Sequence, residues 1–273
     1  MLVNLGIEAY KWQYLIQTIQ PISFWRAFKS VLSGQAVGLS TINRVGESAG
    51  RILFLAEGNR LRGIVLWAVG GMSLIIVVYV SGVVALLNLR LNILDQTPHR
   101  EGLSVFWIDG LIYTIATGIS LFILFYFRLS WVVKIMEKIP FIAKHKYFVE
   151  KLEGFHWKEL TTILLLSFSR YVVFVVQYVL LLQVFDVQVA LMDAITMVAV
   201  MFLVLAVVPT ISLAEIGLRG KVSLQLFGML SANTIGIVAT TAGIWIINIA
   251  VPAIAGTLFI LGIRLFRNKS VDG

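Results

Sequence analysis

The chain has 273 residues, 59% of them hydrophobic and only 13% charged, with a mean hydropathy of +0.92. A soluble domain carries about 25% charged residues, and one so poor in charge would expose apolar patches wide enough to aggregate, so the composition excludes a soluble enzyme and predicts a polytopic membrane protein. Its 22 basic residues against 14 acidic ones give a net charge of +8; in a soluble chain that would suggest nucleic acid, but here the basic residues gather between apolar runs, as membrane loops do.

At the N-terminus, Glu8 and Lys11 interrupt any apolar stretch that could serve as a cleavable signal. Tyr10, Trp12, Tyr14 and Trp25 are residue types of the membrane interface. Phe24 to Ser40 is apolar but carries Arg26, Lys29, Gly34 and Gly38, and is too short and polar to span cleanly. Residues 1–63 are therefore predicted as an interfacial helix followed by a partly inserted, re-entrant one. Six spans are predicted after them, near 64–87, 105–127, 160–185, 191–208, 211–230 and 235–263, all in a single membrane domain covering 1–273. The third contains Arg170, the fourth stops at Pro209, the fifth is broken by Glu215, Arg219 and Lys221, and the sixth contains Pro252. A proline inside a membrane helix is tolerated where neighbours satisfy the freed carbonyl.

Segment 128–159 is not a span. Trp131, Val132, Ile135, Met136 and Ile139 recur at helical spacing opposite Lys134 and Lys138, which fits either an amphipathic helix lying on the membrane or a solvated loop that touches anionic lipid. An up-down threading of six spans puts three basic stretches on one side: Arg44 to Arg62, Arg128 to Lys158, and Arg264 to Lys269. The positive-inside rule makes that side, and the C-terminus, cytoplasmic, and the expected location is a bacterial inner membrane. The fold class is thus all-α.

Charges inside apolar segments are costly and demand a reason. One cluster runs from Asn43 to Arg51 and a second from Pro209 to Lys221; in each, a Glu precedes an Arg by four residues (Glu47 and Arg51, Glu215 and Arg219) and so shares one helix face with it. Two similar motifs in opposite halves suggest an inverted repeat whose broken helices meet at a central site. The plainer reading is a pair of ordinary interfacial ion pairs. Arg170, mid-span, needs Glu47, Glu215 or a ligand anion as partner, and a guanidinium suits bidentate phosphate binding. Asp109 and Asp193 lie near span ends, and His99, His145 and His156 lie in loops. The chain has no Cys, hence no thiol nucleophile or thiolate metal site, and no catalytic residue, metal or cofactor is assigned.

Three segments together resemble the transmembrane region of the lysylphosphatidylglycerol synthase family, also called flippase-like membrane proteins: Glu8-Ala9-Tyr10-Lys11-Trp12, Asn43-Arg44-Val45-Gly46-Glu47 with Gly50-Arg51, and Pro209 through Arg219. The resemblance extends over nearly the whole chain. It departs at Ile42, where the family has proline, at Ala214-Glu215, which replaces part of a glycine run, and at Gly220, where the family has glutamate. Members commonly begin with one further apolar span, so the resemblance implies that the start here is either truncated or mis-assigned. It also implies a stand-alone member without the soluble aminoacyl-transfer domain, and hence not an enzyme by itself.

The expectation from these residues is a protein that translocates or binds an anionic phospholipid or lipid-linked phosphate. Arg44, Arg51, Arg170 and Arg219 would form a cationic path, with Glu47 and Glu215 orienting them or carrying a proton. The partners would be phosphate-bearing membrane lipids, not nucleic acid. The alternative is a membrane partner subunit of an envelope glycosyltransferase or lipid-modifying system. An intramembrane transferase is disfavoured, because acidic residues are few in the apolar part.

Overall fold

The computed structural model describes residues 1–94, 105–136 and 154–268. Every element in them is helical: α1 (Leu2–Ile16), α2 (Phe24–Gly38), α3 (Gly46–Ile52), α4 (Arg60–Asn88), α5 (Val105–Phe127), α6 (Leu129–Met136), α7 (Trp157–Val184), α8 (Leu191–Val207), α9 (Ser212–Phe227), α10 (Thr234–Trp245) and α11 (Val251–Asn268). A π-helical turn, Leu89–Leu94, continues α4, and another, Ile246–Ala250, joins α10 to α11. The second precedes Pro252, which cannot donate the regular bond to the Asn248 carbonyl, so the helix widens there instead of breaking.

Among the described residues, four stretches are long and apolar enough to cross a membrane: Glu57–Asn92, Trp107–Phe127, Trp157–Val184 and Thr234–Gly262. Their outer faces are apolar as well. On α7, Leu165, Phe168, Val172, Val176 and Leu180 form an exposed stripe at helical spacing, and a helix that is hydrophobic on its outer face as well as its inner one belongs in lipid. The segments expected at 191–208 and 211–230 fold instead as a hairpin. Its first arm, α8, has 17 residues, about 26 Å of helix against roughly 30 Å of hydrocarbon. Pro209 follows α8, and Glu215, Arg219 and Lys221 make α9 too polar to qualify as a span.

Two apolar cores stack along the long helices. The first gathers around Trp12 and includes Leu66, Val69, Leu160 and Ile163; the second gathers around Tyr178 and includes Ala85, Leu86, Met197 and Met201. α4 and α7 both start in the first core and end in the second, so they run parallel, while α5 contributes Ile112 to the second core and Tyr126 to the first and runs against them. The α10–α11 unit likewise runs from Ile237 and Ile244 in the second core to Ala255 and Phe259 beside the first. The starts of α4 and α7 and the ends of α5 and α11 therefore share one end of the molecule, where Arg60, Arg62, Arg128 and Lys158 also lie. Of the 128–159 segment, α6 buries Leu129 and Val133 and exposes Trp131 and Ile135; Ile139 and Lys138 lie outside the described residues.

The short helices form two hairpins. In the first, α2 and α3 pack closely because glycines recur four apart on both, at Gly34 and Gly38 and at Gly46 and Gly50, the spacing that lets helix backbones approach. A Cβ on Gly50 would sit 2.4 Å from the Ser33 carbonyl oxygen. Ser30 Oγ donates to the Arg51 carbonyl at 2.9 Å across the same seam. The other side of α2 lies on α11, where a Cβ on Gly256 would come within 1.9 Å of the Leu32 carbonyl oxygen. The first hairpin is rooted near the start of α4, with Ile52 and Leu55 around Gly63. The second, α8–α9, is rooted near the end of α7, where Asn233 Nδ2 donates to the Phe185 and Asp186 carbonyls at 2.9 and 3.1 Å.

The two hairpins thus enter from opposite ends, and their tips meet. Ile42 and Ile211 form an antiparallel bridge. Asn43 N–H donates to the Thr210 carbonyl at 2.9 Å, and Thr210 N–H donates to Asn43 Oδ1 at 3.2 Å.

Candidate anion site

Helix α1 buries one face at helical spacing: Asn4, Leu5, Glu8, Ala9, Lys11, Trp12, Leu15 and Ile16. That face carries a polar stripe, Asn4-Glu8-Lys11, down the middle of an apolar surface, and it packs against α2, α4 and α7. Trp12, expected at the interface, is fully buried, while Tyr10 and Trp25 are exposed.

The stripe meets Arg170 of α7. Arg170 Nη1 donates to Glu8 Oε2 at 2.5 Å and its Nε to Asn4 Oδ1 at 3.0 Å. The partner of the mid-span arginine is therefore Glu8, rather than Glu47 or Glu215. Lys11 Nζ lies 3.0 Å from the same Glu8 oxygen, 3.2 Å from Ser167 Oγ and 3.4 Å from the Gly70 carbonyl. Three acceptors around one nitrogen match the three donors of an ammonium. Arg51 Nη2 binds the other Glu8 oxygen at 2.8 Å and Glu47 Oε2 at 3.2 Å. Glu47 Oε1 in turn lies 2.8 Å from Arg44 Nε, and Arg44 Nη2 also donates to Gln35. One chain of ion pairs thus runs from Lys11 and Arg170 through Glu8, Arg51 and Glu47 to Arg44.

Glu8, outside the four spanning helices, is 3% exposed. Burial alone would raise its pKa, but the charges of Arg170, Lys11 and Arg51 outweigh it and hold the carboxyl well below the usual carboxylate range. Burial, helped by repulsion from Arg170 and Arg51, holds the Lys11 ammonium below its usual range against the pull of Glu8. Burial would also lower the Arg51 pKa, yet Glu8 and Glu47 together raise it.

The ion-pair chain lines a cavity of about 270 Å³. Glu8, Lys11, Arg44, Glu47, Arg51 and Arg170 form its charged wall, and Trp67, Leu74 and Ile75 of α4 its apolar one. Four cations against two carboxylates leave a surplus of two positive charges. Among the described residues, Arg51 Nε and Trp12 Nε1, on two side chains that line the cavity, are buried without a hydrogen-bond partner. At the hairpin tip Asn43 and Arg44 have φ of 48° and 59°, the left-handed region that asparagine adopts readily and that costs a residue such as Arg44 roughly 1–2 kcal/mol. Consecutive left-handed residues that both line the cavity mark a place where backbone strain accompanies a site.

Of the six residues singled out in the sequence, Arg44, Glu47, Arg51 and Arg170 line this one cavity. Glu215 and Arg219 do not; they pair with each other on α9, and the Arg219 guanidinium lies 5.9 Å from the Phe202 ring centroid. Glu8 and Lys11 belong to the site and were missed as site residues. The signal that would have found them is the 4-8-11 spacing on a helix whose same face is otherwise apolar. Among the described residues no three His, Asp or Glu side chains converge to hold a metal ion.

No family model, curated protein or solved structure matches this chain.

The chemistry of the cavity follows from its own groups. A guanidinium has five N–H donors in a planar fork, and the two carboxylates occupy only part of each fork here. The remaining donors, the positive surplus and a partly apolar wall suit an anion with several oxygens and an apolar appendage.

Proposed function

We propose that the chain is a multi-pass protein of a bacterial cytoplasmic membrane that binds a phosphate-bearing lipid and moves it between leaflets. The observation that carries this reading is the cavity with its surplus of two positive charges. Its depth supports a lipid rather than a soluble anion. Arg170 stands 13 residues into the 28-residue α7, about 20 Å along it, and Gly70 and Gly71 of α4 stand at a comparable depth. Ile75 at the rim is exposed on the outer face of α4. A headgroup in the charged wall would leave acyl or polyprenyl chains against that apolar face.

In the same reading the end bearing Arg60, Arg62, Arg128 and Lys158 is cytoplasmic. The two hairpins complete a six-segment inverted arrangement whose half-crossing helices meet at mid-depth. The resemblance to the lysylphosphatidylglycerol synthase membrane region points the same way, toward lipid translocation.

The test is leaflet exchange of a fluorescent anionic phospholipid in vesicles reconstituted with purified protein. Wild type is expected to accelerate exchange, and Arg170→Ala to lower the rate at least tenfold, about 1.4 kcal/mol. Gly71→Leu should do likewise without lowering thermal stability, because a Cβ at Gly71 meets nothing within 4 Å and the isobutyl group would enter the cavity. Equal rates for wild type and Arg170→Ala would remove the cavity from the mechanism.

A further inference from the structure

The ligand charge can be read more closely from the same cavity, given the phosphate-lipid reading above. Lys11 spends its three donors within the protein, on Glu8, Ser167 and Gly70. Arg170 spends Nε on Asn4 and Nη1 on Glu8, and Arg51 spends Nη2 on both carboxylates. Their other N–H groups belong to side chains that line the cavity. Buried charges left unbalanced cost free energy. A bound group that balances the surplus brings two negative charges, and its oxygens accept from the guanidinium forks on the wall.

We infer that the site takes a phosphomonoester dianion, a terminal phosphate with three free oxygens, in preference to the monoanionic phosphodiester of ordinary phospholipids. A phosphodiester has two free oxygens and one charge, and would leave one unit of the surplus uncompensated. A phosphomonoester supplies two charges above its second pKa of roughly 6. The carboxylates explain why the surplus is not larger. Glu8 holds Lys11, Arg51 and Arg170 together, and Glu47 holds Arg51 and Arg44, so the cations stay grouped when no ligand is present. The same phosphomonoester could be borne by a lipid or by a small soluble ester.

The test is isothermal titration, at about pH 8 so that the monoester is dianionic, of the full chain held in phosphatidylcholine nanodiscs. The probes are dihexanoyl phosphatidic acid, dihexanoyl phosphatidylglycerol and glycerol 3-phosphate. Phosphatidic acid is expected to bind at least tenfold more tightly than phosphatidylglycerol, and glycerol 3-phosphate more weakly than phosphatidic acid. Arg44→Gln, at the least buried cation of the cluster, reduces the surplus to one charge and should bring the two lipids to within about threefold of each other. Equal binding of both lipids to wild type overturns the dianion inference and leaves the phosphate-lipid reading standing. Binding of neither lipid overturns both. Glycerol 3-phosphate binding as tightly as phosphatidic acid keeps the dianion and overturns the lipid.

Discussion

Glu8→Ala is expected to destabilise the protein by about 3–5 kcal/mol, the usual cost of removing one partner from a buried ion cluster. Glu8 is the shared anion of Lys11, Arg51 and Arg170, and its side chain is 4% exposed. Its removal leaves three cations facing one another, with only Glu47 and neutral acceptors nearby. Arg170→Ala should cost less, because Glu8 keeps Lys11 and Arg51 as partners. Thermal unfolding of the detergent-solubilised protein would show the order, with Glu8→Ala lowering Tm by roughly 10 °C on the scale of 2–4 °C per kcal/mol for a chain of this size. A drop for Glu8→Ala no larger than that for Arg170→Ala would mean that Glu8 is not the centre of the cluster. The pH dependence follows from the depressed Glu8 pKa. Its contribution is present above the unfolded carboxylate value, about 4.3, and is lost only as pH falls through the lower folded value. The difference between wild type and Glu8→Ala should therefore stay constant from about pH 5 to 8 and shrink in stronger acid.

Among the described glycines, Gly256→Ala should be the most disruptive addition of a single methyl. The added carbon would lie 1.9 Å from the Leu32 carbonyl oxygen, and that neighbour is backbone, which cannot rotate away. Helices α2 and α11 would have to separate, at a cost of about 1–3 kcal/mol or more by comparison with overpacked cores. Gly50→Ala meets the Ser33 carbonyl oxygen at 2.4 Å and should cost a similar amount. It should also disturb the site, because α3 carries Glu47 and Arg51. Gly217→Ala is the control: its Cβ would meet nothing within 4 Å, and exchanging glycine for alanine inside a helix gains up to about 1 kcal/mol. Melting curves of the three variants should separate the control from the other two. If Gly256→Ala melts with Gly217→Ala, the close crossing of α2 and α11 is not as described.

Much of this was visible in the residues. The long apolar runs gave the four membrane-length helices, because twenty uninterrupted apolar residues leave few other folds open. Arg44, Glu47, Arg51 and Arg170 stood out because charge in an apolar context is rare, and they converge on one cavity. What the residues could not show was pairing across the chain. Arg170 and Glu8 are 162 positions apart, and no local period announces that α1 lies against α7. Trp12 reads as an interfacial residue by its type, whereas its place is set by the buried face it shares with Leu5 and Leu15. The repeated Glu-x-x-x-Arg spacing suggests one shared site; in the fold the two motifs sit on hairpins from opposite ends, Glu215 and Arg219 pair with each other, and Glu47 and Arg51 join Glu8 and Arg44 in the cavity wall.

The seam between those hairpins has a mechanical meaning. Asn43 lines the charged cavity and also exchanges two bonds with Thr210, which follows the proline at the end of α8. The loop that presents Arg44 is thereby tethered to the loop that launches the other hairpin, through a few hydrogen bonds and no packed core. The segment that carries Arg44 is thus joined by hydrogen bonds to the residues that open α9. The two hairpins, rooted at opposite ends of the molecule, are thereby stitched together at its waist by main-chain and Asn43 hydrogen bonds.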